Sequence, residues 1–248
     1  NNRKKTLLII FVFYLKILGI FGNLNNWFAN IKRSDTAIKE RQNIIILSAT
    51  ELGWDDIAFH GNPLAITPNI DTFSRHGVIL NNHYINSLEF QTKVELFTGK
   101  YASRYGLQHG PVKNSQPLAL PDEEITLPKL LKKQGYTNHY VGKWGLGFYK
   151  KSSLPTHQGF DSFFGSITYQ PSDYYNFTSK DENYTGYDLY NGTEVFKDTD
   201  GAYSPTLFTD VATDIIYQSA KTPDQPFFLF LSLQLPQLTD GNLNNTVP

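Results

Sequence analysis

Two short runs of consecutive apolar residues constrain the fold of this chain more than any other feature. The first is Asn43-Ile-Ile-Ile-Leu47, and the second is Pro226-Phe-Phe-Leu-Phe-Leu-Ser-Leu233. Runs of this kind, rich in β-branched or aromatic residues, are typical of strands that are covered on both faces in a parallel sheet. Both runs therefore predict core strands of such a sheet.

A helix and a further strand are predicted soon after the first run. Thr67-Pro-Asn-Ile-Asp71 has the pattern of a cap followed by a helix, which we expect to continue to about His76. Gly77 is the expected C-terminal stop of this helix. The apolar residues Val78-Ile-Leu80 then predict the next strand.

The same alternation continues through the second half of the chain. Between Ile125 and Gln134 the leucines have helical spacing, Gly135 ends the helix, and Tyr136 to Val141 predicts a strand. Tyr203 to Ser219 predicts another helix. Its apolar face consists of Leu207, Val211, Ile215 and Ile216. Alternating strands and helices predict an α/β fold with a mostly parallel sheet flanked by helices.

Composition excludes several classes of function. The chain has 248 residues, of which 40% are hydrophobic and 15% aromatic, so it can bury a substantial core. A formal net charge of -1 gives no reason to expect a nucleic-acid partner. There is no cysteine, which excludes disulfides, thiolate metal sites and a cysteine nucleophile.

The N-terminal region has the layout of a secretory signal. Basic residues at positions 3–5 precede an apolar stretch that continues to Gly22, interrupted by Lys16, and we predict a signal peptide over residues 1–22. A membrane anchor is the alternative, but the stretch is at the short limit for a stable span. We predict a linker over residues 23–42 and a single domain over residues 43–248, in which residues 170–200 form a surface excursion. Four sequons are candidate glycosylation sites in a secreted or lysosomal protein: Asn176, Asn183, Asn191 and Asn244.

Candidate site residues follow the predicted strands, because ligands bind beyond the carboxyl ends of the strands in open α/β sheets. Thr50, Glu51, Asp55 and Asp56 follow the first strand and offer oxygen ligands of the kind that calcium prefers, although an acidic loop is more often solvated surface. Lys143 follows the Tyr136 strand and suits a sulfate or phosphate group. A surface lysine beside a packed tryptophan is the alternative interpretation. The histidines at positions 60, 83, 109, 139 and 157 lack metal-ligand spacing, which favours structural or solvated roles.

Several long motifs in these same loops resemble the sulfatase family, and most closely its arylsulfatase B branch. They occur in the family's order, beginning at Asn43-Ile-Ile-Ile-Leu-Ser-Ala-Thr-Glu-Leu-Gly-Trp-Asp-Asp-Ile-Ala-Phe-His-Gly61. Leu96-Phe-Thr-Gly-Lys-Tyr-Ala-Ser-Arg-Tyr-Gly-Leu-Gln-His109 and Val141-Gly-Lys-Trp-Gly-Leu-Gly147 follow, and then Leu154 to Gly165 and Gly186-Tyr-Asp-Leu189. The resemblance implies an alkaline-phosphatase-like fold, a calcium ion and hydrolysis of sulfate esters. It also implies a C-terminally truncated domain, since an Asp-Asn calcium pair and a further lysine of the family would lie beyond Pro248.

The resemblance also implies that most of the family's chemical groups are replaced. The family's nucleophile is a cysteine oxidised to formylglycine within Cys-x-Pro-x-Arg, and the matching segment here is Glu89-Phe-Gln-Thr-Lys93. Glu89 thus stands at the nucleophile position and Lys93 at the arginine position. Thr50 and Glu51 match a pair of calcium-binding aspartates. Lys143 matches the sulfate-binding lysine, while Gly145 and Gln237 match two histidines.

Three hypotheses follow from these replacements. The chain is a secreted pseudoenzyme that binds a sulfated glycan or a protein partner, or has a structural role. Alternatively it is a calcium-dependent sulfuric ester hydrolase with altered chemistry, in which Glu51, Lys93 and Lys143 hold an anionic ester. The third hypothesis is a partial sequence without a folded product, because an incomplete sheet exposes apolar strand edges.

Overall fold

The computed structural model describes residues 41–110, 112–169, 174–181, 184–199 and 201–236. The predicted signal peptide and nearly all of the predicted linker lie outside this part of the chain. The described strands are β1 (Ile44–Ala49), β2 (Thr137–Gly142), β3 (Ser162–Gly165), β4 (Thr178–Asp181), β5 (Tyr184–Tyr187), β6 (Tyr190–Asn191), β7 (Glu194–Val195) and β8 (Phe227–Leu233). The described α-helices are α1 (Pro68–Ser74), α2 (Glu89–Thr98), α3 (Leu127–Lys133) and α4 (Ser204–Ser219). None of the helices in these ranges has the length and apolar composition to cross a membrane.

The main sheet has six strands in the order β1-β8-β2-β3-β6-β7. Strands β1, β8, β2 and β3 run parallel, whereas β6 and β7 are antiparallel additions at one edge. β4 and β5 pair separately as a small antiparallel sheet. The prediction of a mostly parallel sheet with flanking helices is therefore confirmed, and both fully apolar runs lie at adjacent positions in it.

The central strand β8 shows why this sheet is covered on both faces. Successive side chains of a strand point to opposite faces. Phe228 and Phe230 pack in one hydrophobic cluster with Phe97 of α2, whereas Phe227 and Leu229 join a second cluster with Phe208 of α4. Burying one such phenylalanine contributes roughly 1.5–3 kcal/mol. An uninterrupted apolar run is the consequence of this two-sided burial.

The predicted helices α3 and α4 are confirmed, with small shifts at their ends. Thr126 caps α3 by accepting a hydrogen bond from the backbone of Lys129, and Gly135 follows the helix with a φ of 80°. In α4, Phe208 and Ala212 are the most buried apolar side chains. The residues of the predicted apolar face are partly buried and pack against the same cluster: Leu207, Val211, Ile215 and Ile216.

The strand predicted at Val78-Ile-Leu80 is wrong. These residues have no regular secondary structure, and Val78 is 87% exposed. A short apolar run becomes a strand only where a neighbouring strand binds its backbone groups, and none does so within the described residues. The preceding helix prediction is confirmed in shorter form, since α1 ends at Ser74.

The surface excursion predicted for residues 170–200 is also wrong for much of that segment. Tyr174, Phe177 and Leu189 are buried, with at most 4% of each side chain exposed. Phe177 and Leu189 belong to the cluster that α4 covers, and β6 extends the main sheet. The segment therefore contributes to the core, which its polar and turn-rich composition concealed.

Candidate functional site

The carboxyl ends of β2 and β8 and the first turn of α2 meet at one point of the fold. Helix α2 begins at Glu89 and ends at Thr98, and it is followed by Gly99, whose φ of 66° suits glycine. It was not predicted, because four of the five consecutive buried residues from Glu89 to Lys93 are polar or charged, Phe90 being the exception. Glu89 and Lys93 belong to the site described next, whereas Gln91 and Thr92 donate to the backbone carbonyls of Leu107 and Asn86.

Glu89 bridges two lysines at this point. Its Oε1 lies 2.6 Å from Nζ of Lys93, and its Oε2 lies 2.7 Å from Nζ of Lys143. The hydroxyl of Ser232, in β8, donates to Oε1 over 3.3 Å. Glu89, Lys93 and Lys143 are respectively 5%, 2% and 1% exposed. We call these three residues the Glu89 cluster, in which two ammonium groups share one carboxylate out of contact with water.

Lys93 also attaches α2 to the loop after β2. Its ammonium donates to the carbonyl oxygen of Lys143 over 2.5 Å and to that of Trp144 over 3.1 Å. The hydroxyl of Tyr140 donates to the same Lys143 carbonyl. The indole of Trp144 in turn donates to Gly147 over 3.1 Å. The loop that carries Lys143 is therefore held by side chains from two directions.

Electrostatics in the Glu89 cluster favour its charged form. Burial raises the pKa of Glu89, but attraction by Lys143 and Lys93 and their hydrogen bonds outweigh burial and lower that pKa to about 2. Burial lowers the pKa of Lys93 and of Lys143, and the negative charge of Glu89 opposes this effect. In addition, Nζ of Lys143 lies 4.8 Å from the ring centroid of Tyr169, which is a cation–π contact.

The loop after β1 does not form the predicted calcium site within the described residues. Thr50 is buried, and its hydroxyl donates to the carbonyl of Leu233 over 2.9 Å, so it ties β1 to β8. Glu51 has a φ of 62°, and its charge acts on Lys143. The described ranges contain no group of three histidine, cysteine or acidic side chains suited to a metal ion. The two matched positions supply one carboxylate, whose charge acts on the ammonium of Lys143, and this pair alone does not fit calcium.

The structure describes only one of the two positions that match histidines of the family, namely Gly145. Gly145 has a φ of 69° and lies against Tyr169, and a cleft beside these residues is too narrow to admit a water molecule. Gln237 lies outside the described residues. The nearby Gln234 is buried and accepts a hydrogen bond from Ser204 over 3.1 Å, a pairing for which the sequence offered no signal.

The remaining predicted site residues do not join the Glu89 cluster. Asp55 and Asp56 are exposed, and Asp56 accepts a hydrogen bond from the backbone of Gly53 over 2.6 Å. His60 stacks on Trp54 with ring centroids 3.6 Å apart. The other histidines are also separate: His83, His109 and His157 are exposed, and His139 pairs with Ser162.

Two of the four predicted glycosylation sites lie in the described part of the chain. Asn176 and Asn191 are both exposed, and Asn191 is at the end of β6. Asn183 and Asn244 lie outside the described residues. Attachment of glycan at any of these positions stays a prediction.

Asp188 is a further buried carboxyl, which sequence reasoning did not single out although it lies in the Gly186–Leu189 motif. It accepts hydrogen bonds from the backbone of Ile167 over 2.8 Å and of Thr168 over 3.1 Å, and from the Thr168 hydroxyl. These bonds hold the segment that continues to Tyr169. Burial outweighs them and raises the pKa of Asp188 to about 6.

Asp188 should make the free energy of unfolding pH-dependent. Because the pKa is raised from 3.8 to about 6 on folding, its contribution is fully present below about pH 4 and is lost as the pH rises through 6. We expect the stability of the wild type relative to Asp188→Asn to fall across this window. Denaturant unfolding of both proteins between pH 4 and pH 7 measures the difference. Parallel stability profiles would contradict the assignment.

Comparison with known proteins identifies the family. A family model described as Sulfatase matches residues 42–236. This chain belongs to the sulfatase family. Arylsulfatase J of Mus musculus is 36% identical over 200 residues, which cover 80% of this chain and 33% of that protein. N-acetylgalactosamine-6-sulfatase of Mus musculus is 31% identical over 204 residues, which cover 77% of this chain and 39% of that protein.

A solved structure supports the same fold for this sulfatase-family chain. The crystal structure of Ps i-CgsB in complex with k-i-k-neocarrahexaose is 25% identical, with a TM-score of 0.68 over 80% of this chain and 47% of that chain. The alkaline-phosphatase-like fold is therefore confirmed. The chain spans only 33–39% of the two curated relatives above. The narrower resemblance to the arylsulfatase B branch stays a prediction.

Proposed function

We propose that this chain is a catalytically inactive member of the sulfatase family, exported to the secretory pathway, that acts by binding rather than by hydrolysis. One observation carries the proposal. The residue at the family's nucleophile position, Glu89, is a buried carboxylate whose two oxygens are each taken up by a lysine ammonium. The group that should attack a sulfate ester is thus replaced by one that neutralises the cations around it.

The chemistry of ester hydrolysis explains why this replacement is decisive. The reaction needs an activated nucleophile, cationic groups that hold the oxygens of the ester, and an acid for the leaving group. A sulfate approaching Glu89 meets like charge, and Lys93 and Lys143 are already paired. Losing one stabilising group typically costs factors of about 100 to 1,000 in rate, and losses within one catalytic unit leave little activity.

The binding role rests on the scaffold rather than on the cluster. The sheet, its helices and the loop after β2 are intact around the altered chemical positions. The structure of Ps i-CgsB holds k-i-k-neocarrahexaose, so one relative of this scaffold accommodates an oligosaccharide. A sulfated glycan or a protein ligand, met in the secretory pathway, outside the cell or in the lysosome, is the proposed partner.

Hydrolysis of a chromogenic aryl sulfate tests the proposal. The secreted protein is assayed with calcium and with chelator, beside Lys143→Ala and the exposed-lysine control Lys133→Ala, each confirmed as folded by circular dichroism. We expect no turnover above the buffer blank in any of them. Turnover that requires calcium and disappears only in Lys143→Ala would establish the alternative, a calcium-dependent sulfuric ester hydrolase with altered chemistry.

A further inference from the structure

An open cleft lies at the end of the main sheet that is opposite the Glu89 cluster. Its volume is about 190 Å³, and it is formed where the last turn of α4 meets the amino ends of β2 and β8. Thr137 and Phe227, the first residues of these strands, are neighbours in register. Because a strand rises about 3.3 Å per residue, Thr137 lies roughly 16 Å from Gly142 at the other end of β2. The cleft is therefore separate from the Glu89 cluster.

The side chains around the cleft are mostly polar and carry no fixed charge. Of the seven described residues that line it, Phe227 alone has a wholly apolar side chain, and the others are two threonines, a serine, two glutamines and a histidine. Burial lowers the pKa of His139 and outweighs the attraction of Asp161, so this imidazole is neutral at neutral pH. The ammonium of Lys221 is engaged by Oε1 of Gln218 over 2.7 Å. Such a lining suits a neutral ligand that both donates and accepts hydrogen bonds.

Three polar groups at the cleft have no hydrogen-bond partner among the described residues. The Nδ1 atom of His139 pairs with the hydroxyl of Ser162 over 2.7 Å, which leaves Nε2 without one. The hydroxyls of Thr137 and Ser219 also make no hydrogen bond within those ranges. All three side chains are partly buried, and none of the three groups is sealed in the core. A molecule in the cleft can therefore reach them and satisfy them.

Hydrogen bonds hold the walls of the cleft in place. The side chain of Gln225 donates to the carbonyl oxygen of Gly135 over 2.6 Å, which joins the segment before β8 to the segment before β2. After α4, the backbone of Thr222 donates to Ser219 over 3.1 Å, and the backbone of Gln225 donates to Thr222 over 3.0 Å. Walls that are already fixed need little ordering when a ligand binds, which favours even a small ligand.

We propose that this cleft binds a neutral hexose ring, the chemistry that a free monosaccharide and the terminal sugar of a glycan share. The hydroxyls of such a ring both donate and accept, as Thr137, His139 and Ser219 require, and its C–H face suits the phenyl ring of Phe227. The volume fits a single ring, since sites for larger ligands have roughly 300–1,000 Å³. The proposal goes beyond the proposed function and does not depend on inactivity, because the cleft shares no residue with the Glu89 cluster.

A chemical-shift titration of the full chain at neutral pH tests the proposal. The probes are D-galactose, D-glucose and D-mannose, each as the free sugar and as its methyl glycoside, which carries the glycosidic oxygen of a glycan. The imidazole signals of His139 report on the cleft, and the indole N–H of Trp144 reports on the loop of the Glu89 cluster. We expect at least one sugar to shift the His139 signals saturably, with a dissociation constant on the order of millimolar, and to leave Trp144 unchanged. The tighter-binding form, free or glycosidic, identifies the source.

Conservative variants show whether the lining hydroxyls bind the sugar. Thr137→Val and Ser219→Ala each remove one hydroxyl and nearly conserve volume, and each should weaken binding about threefold to tenfold. Thr213→Val is the matched control, since it removes an exposed hydroxyl of α4 outside the cleft and should bind as the wild type does. Thermal unfolding of each variant checks that it is folded.

Several outcomes overturn the proposal. One is the absence of a saturable His139 shift with any of the sugars up to roughly 50 mM. Unchanged affinity in both Thr137→Val and Ser219→Ala is another, and a shift confined to Trp144 is a third. Tighter binding of galactose 6-sulfate than of galactose at His139 would contradict a site for neutral rings. Aryl sulfate turnover would refute the proposed inactivity and leave this result unaffected, so the two failures are distinguishable.

Discussion

Glu89→Gln should lower the free energy of unfolding by about 3–5 kcal/mol, because it leaves two buried ammonium groups without their carboxylate. Lys143→Met should lower the free energy of unfolding by clearly less. It leaves Glu89 and Lys93 as an ion pair with no net charge, with 2.6 Å between Oε1 and Nζ. Glu194→Gln, which changes an exposed carboxylate, is the matched control and should stay within about 0.5 kcal/mol of the wild type. Denaturant unfolding at pH 7 measures all three.

The pH dependence of the same variants gives an independent check. Folding lowers the pKa of Glu89 from 4.5 to about 2, so its stabilising contribution is present above about pH 4.5 and is lost as the pH falls towards 2. The difference in the free energy of unfolding between the wild type and Glu89→Gln should therefore become smaller as the pH falls from about 4.5 towards 2. A difference that is constant from pH 6 to pH 3, or a larger cost for Lys143→Met than for Glu89→Gln, would show that the cluster is not organised around Glu89.

Gly142→Ala should destabilise the protein by at least roughly 4 kcal/mol, through backbone strain and steric overlap together. A Cβ atom at Gly142 would lie 2.0 Å from the carbonyl oxygen of Ser232, and the φ of 104° is unfavourable for alanine. The Cβ position is fixed by the backbone of β2 and the oxygen belongs to the backbone of β8, so neither atom can move away without disturbing the paired strands. We expect little soluble folded protein.

The variant Gly192→Ala separates the effect of backbone strain from the effect of steric overlap. Gly192 has a φ of 63°, but a Cβ atom there would meet nothing within 4 Å. Its cost should be limited to the conformational strain of roughly 1 kcal/mol. Thermal unfolding and soluble yield of the two variants measure the difference, and similar losses in both would contradict the close contact between β2 and β8.

Predictions succeeded where local pattern and tertiary environment agree. β1, β2, β8, α3 and α4 all lie within a few residues of their predicted positions. Each has an apolar pattern that fits only one kind of burial. A continuous apolar run fits a strand that is buried on both faces, and apolar residues at helical spacing fit a helix that is buried on one face. Their order along the chain then determines a mostly parallel sheet.

Predictions failed where the partners of a segment lie far away in sequence. Val78-Ile-Leu80 is apolar enough for a strand but lacks a neighbouring strand within the described residues. Tyr174, Phe177 and Leu189 lie in a polar segment and are nevertheless buried. Helix α2 escaped prediction because its buried face is largely polar. The groups that satisfy Glu89 and Lys93 come largely from β8 and from the loop after β2, which are distant in sequence.

The amino-acid sequence by itself predicted the α/β architecture and the family, because these depend on residue identity and short-range pattern, and it placed Glu89 at the position that matches the family's cysteine. It also predicted that Glu89 would repel a sulfate. Only the tertiary structure decided what Glu89 does instead. Its partner Lys143 is 54 positions away and reaches the carboxylate because the loop after β2 ends beside the first turn of α2. Pairing of buried charges depends on such three-dimensional proximity, which no local pattern encodes.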